Sequence, residues 1–413
     1  MAMRDVRRRC PYCGSNVVLD DCAIVCTLLP PEAKSQFDQH SKEVRSVPAS
    51  GDEAHGHIGR YAVLRPETAK GARVTRMWSK LPSVYERANP IDLPRRACTS
   101  CRTPLPEELD ELDAVVLAVV GLNRGGKTYF IGSSLTAASR NDGLARHGVT
   151  AFTPLEDTAE RLHQHYFSGL FRGGFKLDTT PVDDHLTRPP LMFKVTMYDG
   201  QAFLLLVHDV SGEALMNRSS RTATAGFVSR ADAIIFLADP TDMDHVEREL
   251  PLQTLTEAGG GSARSLDQAS LLDAVLNELR PVNPERLPPL AVTISKSDLL
   301  EVAFGGKPRM STSGLGEITL EEVIPFSKPM GDGDWREEIR VTSEQVRKLL
   351  RDLNENKLVS LGESHTPSSF HAISVLGSKA SRQARGGRPA PVRVMDPLGT
   401  VLEQIRAGRA RDN

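Results

Sequence analysis

Residues 113–128 read DAVVLAVVGLNRGGKT. The first eight form an almost unbroken apolar run, as a strand buried on both faces requires. The next eight, Gly121 to Thr128, fit the spacing G-x-x-x-x-G-K-[ST], the pattern of a phosphate-binding P-loop. Gly121, Asn123, Arg124, Gly125 and Gly126 would turn backbone N–H groups inward around phosphate oxygens. Glycine allows the backbone angles and the close approach this needs. Lys127 would set a point charge on the β- and γ-phosphates, and Thr128 would offer its hydroxyl to Mg²⁺. A helix beginning at Lys127 would direct the positive end of its dipole at the anion. An ordinary glycine-rich turn explains the letters but not the strand before them or the helical segment after them.

Working outward, similar apolar runs recur at 203–207 (FLLLV), 233–238 (AIIFLA), 290–294 (LAVTI) and 370–375 (FHAISV), with a more alternating candidate at 191–198. Helical spacing lies between them. Val346, Leu349, Leu350 and Leu353 stand at i, i+3, i+4 and i+7, with Ser343 placed to cap the start. Residues 396–406 (DPLGTVLEQIR) look like a closing helix with proline in its first turn. Strands alternating with helices predict an α/β three-layer sandwich around a mostly parallel sheet. Residues 250–289 and 302–340 are rich in Gly, Pro and Ser and are predicted to be surface insertions, partly helical or mobile.

Three further motifs follow the phosphate loop in order. The run FLLLVHD ends in Asp209 and continues through Val210 and Ser211 to Gly212, a D-x-x-G. An acid there can hold Mg²⁺, and the glycine N–H can meet a γ-phosphate. Residues 290–298 end in Ser295-Lys296-Ser297-Asp298, and a later strand-like run ends in Ser374-Val-Leu-Gly377. Together GLNRGGKT, DVSG, SKSD and SVLG resemble the Ras-like, translation-factor-related class of P-loop GTPases. That class carries a P-loop, D-x-x-G, [NT]-K-x-D and a small-residue loop, each at a strand's C-terminal end. The match runs from about residue 113 to 406. The resemblance implies that Asp298 accepts hydrogen bonds from guanine N1 and N2, a donor pair adenine lacks. It implies that Lys296 packs along the base and that the backbone near Ser374 meets the guanine oxygen. Ser295 departs from the usual Asn or Thr, which loosens the expected loop-to-loop bond.

The same resemblance implies two switch loops released by hydrolysis. The second begins at Asp209. Glu213 follows Gly212 where small GTPases often carry a water-orienting Gln. Its charge opposes the γ-phosphate, so slow turnover is expected, with Lys127, Gly212 and Glu213 as the catalytic set. The plainer reading is that Glu213 belongs to a helix start. The first switch should supply a Thr, with Thr179, Thr180 and Thr187 as candidates and Thr180 the preferred one. Arg172, Arg188, Arg218 and Arg221 are each candidates for an arginine finger, and the sequence selects none.

All six cysteines lie in the first quarter of the chain. Cys10-Pro-Tyr-Cys13-Gly14 and Cys98-Thr-Ser-Cys101 are two C-x-x-C knuckles, and four thiolates from two such turns form a natural tetrahedral Zn²⁺ site. The pattern resembles a zinc ribbon. The spacing between the pairs far exceeds the usual one, so an insertion of about residues 16–96 would loop out. Cys22 and Cys26 are read as buried, hydrophobe-like cysteines, and His40, His55 and His57 as loop residues although they are alternative ligands. The predicted organisation is a zinc-ribbon module over 1–110 and a nucleotide-binding domain over 111–413.

Composition bounds the rest. The 413 residues carry 51 Lys+Arg against 53 Asp+Glu, a formal charge of -2, so no global basic field gathers nucleic acid. Aromatic content of 5% gives base stacking little support, and nucleic acid is not an expected partner. No apolar run reaches the roughly 20 residues that span a bilayer, and the start MAMRDVRRRC lacks an apolar segment after its basic one. A cytoplasmic protein without membrane insertion is expected, where reduced thiols favour metal over disulfides. By further resemblance, the DVSGE form and the closing D-P-L-x-x-x-L helix look like bacterial GTPases of the double-GTPase type found in regulatory or conflict modules. The implied function is a GTP-binding regulatory GTPase, using GTP/GDP, Mg²⁺ and Zn²⁺ and engaging an activating or effector protein. The alternatives are a poorly hydrolysing, GTP-gated interaction scaffold and a nucleic-acid-associated P-loop ATPase.

Overall fold

The computed structural model describes residues 6–19, 22, 24–27, 45–47, 61–64, 95–96, 98–100, 105–122, 125–140, 143–167, 189–216, 227–258, 267–279, 287–304, 309–310, 317–318, 334–377 and 389–412. The chain divides into two compact units. The first comprises Met1–Val115, Leu186–Pro190 and Phe203–Leu206. The second comprises Val116–His185, Leu191–Ala202 and Val207–Asn413.

The first unit begins with a small antiparallel hairpin, β1 (Arg7–Arg9) and β2 (Asn16–Val18), paired Arg7 to Val18 and Arg9 to Asn16. The turn between them closes with Cys10 N–H on Ser15 O and Gly14 N–H on Cys10 O, both at 2.9 Å. Gly14 has φ +68°, the left-handed region that suits glycine. The strands β3 (Ile24–Thr27), β4 (Arg45–Val47), β5 (Tyr61–Leu64) and β6 (Arg95–Arg96) form a second sheet in the order β4-β5-β3-β6, antiparallel throughout. Residues 16–18, where the insertion was expected to begin, form β2 and pair with β1. Arg96 is buried, with Nε on Asp110 Oδ1 at 3.0 Å and a guanidinium N–H on Leu19 O at 2.7 Å.

The remaining elements build an α/β sandwich. In chain order they are β7 (Ala114–Gly121), α1 (Lys127–Ser139), β8 (Val149–Pro154), α2 (Thr158–Arg161), β9 (Leu191–Met197), β10 (Ala202–Ser211) and α3 (Gly212–Met216). Then come β11 (Ala233–Ala238), α4 (Asp244–Glu249), α5 (Leu252–Glu257), α6 (Gln268–Glu278), β12 (Leu290–Ile294) and α7 (Asp298–Phe304). A short pair, β13 (Arg309–Met310) and β14 (Glu317–Ile318), precedes α8 (Trp335–Asp352), α9 (Asn356–Ser364), β15 (Ser368–Ala372) and α10 (Asp396–Asp412). The large sheet has seven strands in the order β15-β12-β11-β7-β10-β9-β8. The pairs β15–β12, β12–β11 and β11–β7 are parallel, and β8–β9 at the edge is antiparallel.

Strands β11 and β12 are buried at every position, as the continuous apolar runs predict for sheet strands covered on both faces. The helix α10 packs on β11, β12 and β15, and α8 and α9 pack on β15.

Two readings from the sequence are corrected here. Ser343 does not cap α8, which begins eight residues earlier. Asp334 is the cap, its carboxylate accepting the Arg336 N–H at 3.0 Å, while the Ser343 hydroxyl accepts the β15 amide of Phe370 at 2.9 Å. The first turns of α8 carry few apolar side chains, so the apolar stripe marks only its second half. Residues 250–289, expected to be a partly helical surface insertion, are not all at the surface. They contain α6, whose Leu271, Leu272 and Val275 are fully buried.

Candidate functional site

The four sequence motifs sit at the C-terminal ends of β7, β10, β12 and β15, where open α/β sheets bind ligands. The phosphate loop leaves β7 in the middle of the sheet. A Cβ on Gly121 would lie 2.8 Å from Leu237 O of β11, so only glycine lets the two strands stay paired there. Gly125 N–H closes a turn on Leu122 O at 3.1 Å, and Gly126, at φ +83°, is the residue before α1. Asn123 and Arg124 lie outside the described residues. Thr128 stands half-buried in the first turn of α1.

Lys127 is 6% exposed, and its ammonium donates to Gly121 O at 2.7 Å and Leu122 O at 2.8 Å. The side chain therefore curls back over its own loop. Burial lowers its pKa, and the nearby carboxylates of Asp209 and then Glu213 oppose that fall. A buried cation stays charged only where such anions or carbonyls surround it.

Asp209, near the C-terminal end of β10, is half-buried between the buried His208 and Val210. Gly212 opens α3, and a Cβ there would lie 2.5 Å from Leu271 Cδ2 of α6 and 3.0 Å from Gly121 O. That double approach sets the ends of β10 and β7 side by side, with Leu271 of α6 against Gly212. The Ser211 hydroxyl donates to Glu213 Oε2 at 3.1 Å and accepts the Ala214 N–H at 3.3 Å. Glu213 is thus tied to the residue that caps α3. Buried His208, just before Asp209, stacks on Phe227 with ring centroids 4.3 Å apart, and burial pushes its pKa down to about 3.

The third loop follows β12. Ser295 N–H and hydroxyl both donate to Ala238 O, at 2.8 and 3.1 Å. A Cβ on Gly126 would lie 3.6 Å from Ser295 Cβ, so this serine does meet the phosphate loop despite replacing Asn or Thr. Asp298 begins α7, and its Oδ1 accepts the Ser374 hydroxyl at 2.6 Å. The Ser374 oxygen in turn accepts the Gly377 N–H at 2.8 Å. Gly377 has φ +75°, and a Cβ there would strike Ala390 O at 2.3 Å. Ser297 N–H donates to Ile373 O at 2.9 Å, completing the link between the SKSD and SVLG loops.

The sequence reading missed Asp239, at the end of β11. It is buried between the phosphate loop and the SKSD loop, and it pairs with the Lys296 ammonium. Gln268, the first residue of α6, brackets the Asp239 backbone. Its Oε1 accepts the Asp239 N–H at 2.7 Å and its Nε2 donates to Asp239 O at 3.0 Å. An acid after a strand carries no sequence signal of its own, since Gln268 and Lys296, the partners that tie it to the site, lie 29 and 57 residues away.

The candidates for the first switch, Thr179, Thr180 and Thr187, lie outside the described residues. So do Arg172, Arg188, Arg218 and Arg221.

A second site lies in the first unit. The Sγ atoms of Cys10, Cys13 and Cys98 fall within 4.8 Å of one another, and those of Cys13 and Cys98 are 3.7 Å apart. Cys98 Sγ also accepts the Ser100 N–H at 3.4 Å. Three converging thiols from two knuckles fit a tetrahedral thiolate site for Zn²⁺. Cys101 and the loop histidines His40, His55 and His57 lie outside the described residues. Cys22 is fully buried, with its thiol on Val18 O at 3.4 Å, and is not in this group. Among the described residues, no helix is long and apolar enough to cross a membrane.

Residues 115–323 match the family described as Double-GTPase 2. The chain is also 26% identical, over 349 residues, to a Mycolicibacterium smegmatis protein provisionally described as ESX-1 scaffolding and assembly protein SaeC. That alignment covers 78% of this chain and 86% of the relative. A solved structure of sup35 complexed with GDP aligns at 12% identity with a TM-score of 0.24, covering 64% of this chain and 37% of that one.

Proposed function

The chain belongs to the Double-GTPase 2 family, and from that premise we propose that it binds GTP with Mg²⁺ in the loops after β7, β10, β12 and β15. It hydrolyses GTP slowly to GDP and phosphate and so switches its contacts with a protein partner. One observation carries this reading. Four loops from separate strands meet at one sheet edge, with Gly212 on Gly121, Gly126 on Ser295 and Asp298 on Ser374.

Each residue has a task. The backbone of Gly121, Asn123, Arg124, Gly125 and Gly126 cradles phosphate oxygens, and the left-handed Gly126 leaves room for them. Lys127 holds the β- and γ-phosphates, exchanging its two carbonyl partners for phosphate oxygens. Thr128 and Asp209 are the residues that would hold Mg²⁺, which when bound neutralises charge on the β- and γ-phosphates. Gly212 N–H meets the γ-phosphate, and Thr180 is assigned to the first switch. Asp298, steadied by Ser374, reads guanine N1 and N2, with Ser295 and Lys296 shaping that loop. Glu213 is assigned to the attacking water. That water adds to the γ-phosphorus as the bond to the bridging oxygen breaks, leaving GDP and phosphate.

The first unit is assigned a zinc ribbon. Cys10, Cys13 and Cys98 supply three thiolates, Cys101 is the fourth on sequence grounds, and the knuckles staple the 1–110 module. The 111–413 domain is the switch. Its partner is an activating or effector protein.

A second reading is a GTP-gated scaffold that barely turns over. The Ser211–Glu213 bond favours it, because Glu213 is already engaged in the α3 start. The scaffolding description of the mycobacterial relative is in line with it. Phosphate release under multiple turnover separates the two. The enzyme reading expects steady phosphate production that Lys127→Ala abolishes. No release beyond a single equivalent would leave the scaffold reading standing.

A further inference from the structure

The proposed guanine loop rests on a buried brace outside its own motif. Asp239 is 3% exposed, and an acid so buried needs full hydrogen bonding. It has it. Oδ1 accepts the Thr241 N–H at 2.9 Å and the Thr241 hydroxyl at 2.8 Å, and Oδ2 takes the Lys296 ammonium. The second partner of that ammonium is Ala258 O at 2.9 Å. Gln268 fixes the Asp239 peptide from both sides. The acid is therefore rigid before any ligand arrives.

What it holds is unusual. Lys296 has φ +47°, in the left-handed region that a non-glycine residue rarely adopts. Its backbone leads through Ser297 directly into Asp298. The pair with Asp239 turns the charged end of Lys296 inward, so the side of Lys296 left for a base is its hydrocarbon stem.

We propose that Asp239 is a positioning residue for base recognition, acting through Lys296 to hold the SKSD loop in its reading conformation. This rests on the assignment of Asp298 to guanine. Without the carboxylate the Lys296 stem swings and the left-handed turn relaxes. Asp298 then loses its alignment with N1 and N2. Contacts to the phosphates lie elsewhere and are unaffected.

The test uses the full chain and two nucleotides, GDP and inosine diphosphate, which lacks the 2-amino group. Asp239→Asn keeps the shape and removes the charge. It is expected to weaken GDP binding about 10- to 100-fold, the loss typical of a charged hydrogen bond, and to bring GDP and inosine diphosphate closer in affinity. Lys296→Met keeps the stem and should reproduce the loss, which also covers the case that Asp239→Asn does not fold. The double variant should lose no more than either single one, as partners in one interaction require. A purely structural acid would lower the melting temperature and leave the GDP-to-inosine ratio unchanged, which overturns the proposal. GDP affinity within about twofold of wild type in Asp239→Asn, or additive losses in the double variant, overturns it too. Among these outcomes, absence of GDP binding by the wild-type chain is the one that overturns the underlying guanine assignment as well.

Discussion

The strands beneath the proposed nucleotide loops are apolar almost end to end: β11 and β12 are buried throughout, and β7 at all but its first residue. In the first unit, β1 is three arginines and β6 is two, and among the described residues none of β1 to β6 exceeds four residues. A loop anchored on a buried strand keeps its shape through burial, at roughly 25 cal/mol per Å² of apolar surface. A knuckle anchored on a three-residue strand has little such support. Its thiols instead offer to bind a metal, and metal binding free energy then becomes folding free energy. The second unit should therefore be stable without its ligand, and the first should depend on one.

Removing the metal is the largest expected break in that comparison. Structural Zn²⁺ is worth about 10–16 kcal/mol in small thiolate modules at neutral pH. Metal analysis should find zinc, and Cys98→Ser or a strong chelator should release it. Amide exchange should then rise across β1 and β2 and stay slow in β7, β11 and β12. Unchanged exchange in β1 and β2 would place the first unit's stability elsewhere.

Acid should strike the second unit. An unfolded histidine takes up a proton near pH 6.5, whereas burial lowers His147 to about 4 and His208 and His371 to about 3. The unfolded chain binds more protons below pH 6.5, so stability falls as pH drops through the window from 6.5 towards 3. At pH 5 the cost is about 2 kcal/mol for each of the three. Asp396 has the opposite sign. Burial raises its pKa to about 6 against the pull of Arg393, so its penalty at neutral pH is relieved as pH falls through 6. The histidines outweigh it, and a denaturant midpoint at pH 5 well below that at pH 7 is the expected result. Equal midpoints would contradict the neutral, buried state of these rings.

Smaller effects sharpen the picture within the second unit. Gly212→Ala forces a methyl against Leu271 and Gly121 O, which should cost about 1–3 kcal/mol of stability. A neutral effect in thermal melts would mean that α6 yields easily there. Ser343→Ala leaves the Phe370 N–H without its acceptor and should cost about 1 kcal/mol, with faster exchange at that amide. A loss of α8 helicity instead would restore Ser343 as a cap.

The same comparison explains how much was legible in the sequence. Six of the seven strands of the large sheet announce themselves, β7, β10, β11, β12 and β15 by nearly continuous apolar runs and β9 by a more alternating one, and the phosphate loop because its glycines follow one of them. Edge strand β8 (VTAFTP) buries only Val149 and Phe152 and ends in proline, so it gave no such run. Some helix was expected in 250–289, but the burial of α6 was not legible inside a Gly-, Pro- and Ser-rich stretch. The site motifs were readable because each is local. Asp239 was not, since its meaning depends on Gln268 and Lys296, which only the fold brings to it. The knuckles were readable from Cys-x-x-Cys, although only the fold brings Cys98 to Cys10 and Cys13.

The central claim is that this sheet edge reads guanine through Asp298. An equilibrium titration of the full chain with fluorescent GTP and ATP analogues, beside Asp298→Ala, tests it most directly. The account predicts a wild-type preference for GTP of at least about 100-fold, which Asp298→Ala removes while ATP binding stays as it was. A base preference that survives Asp298→Ala, or a wild-type preference for ATP, would contradict it.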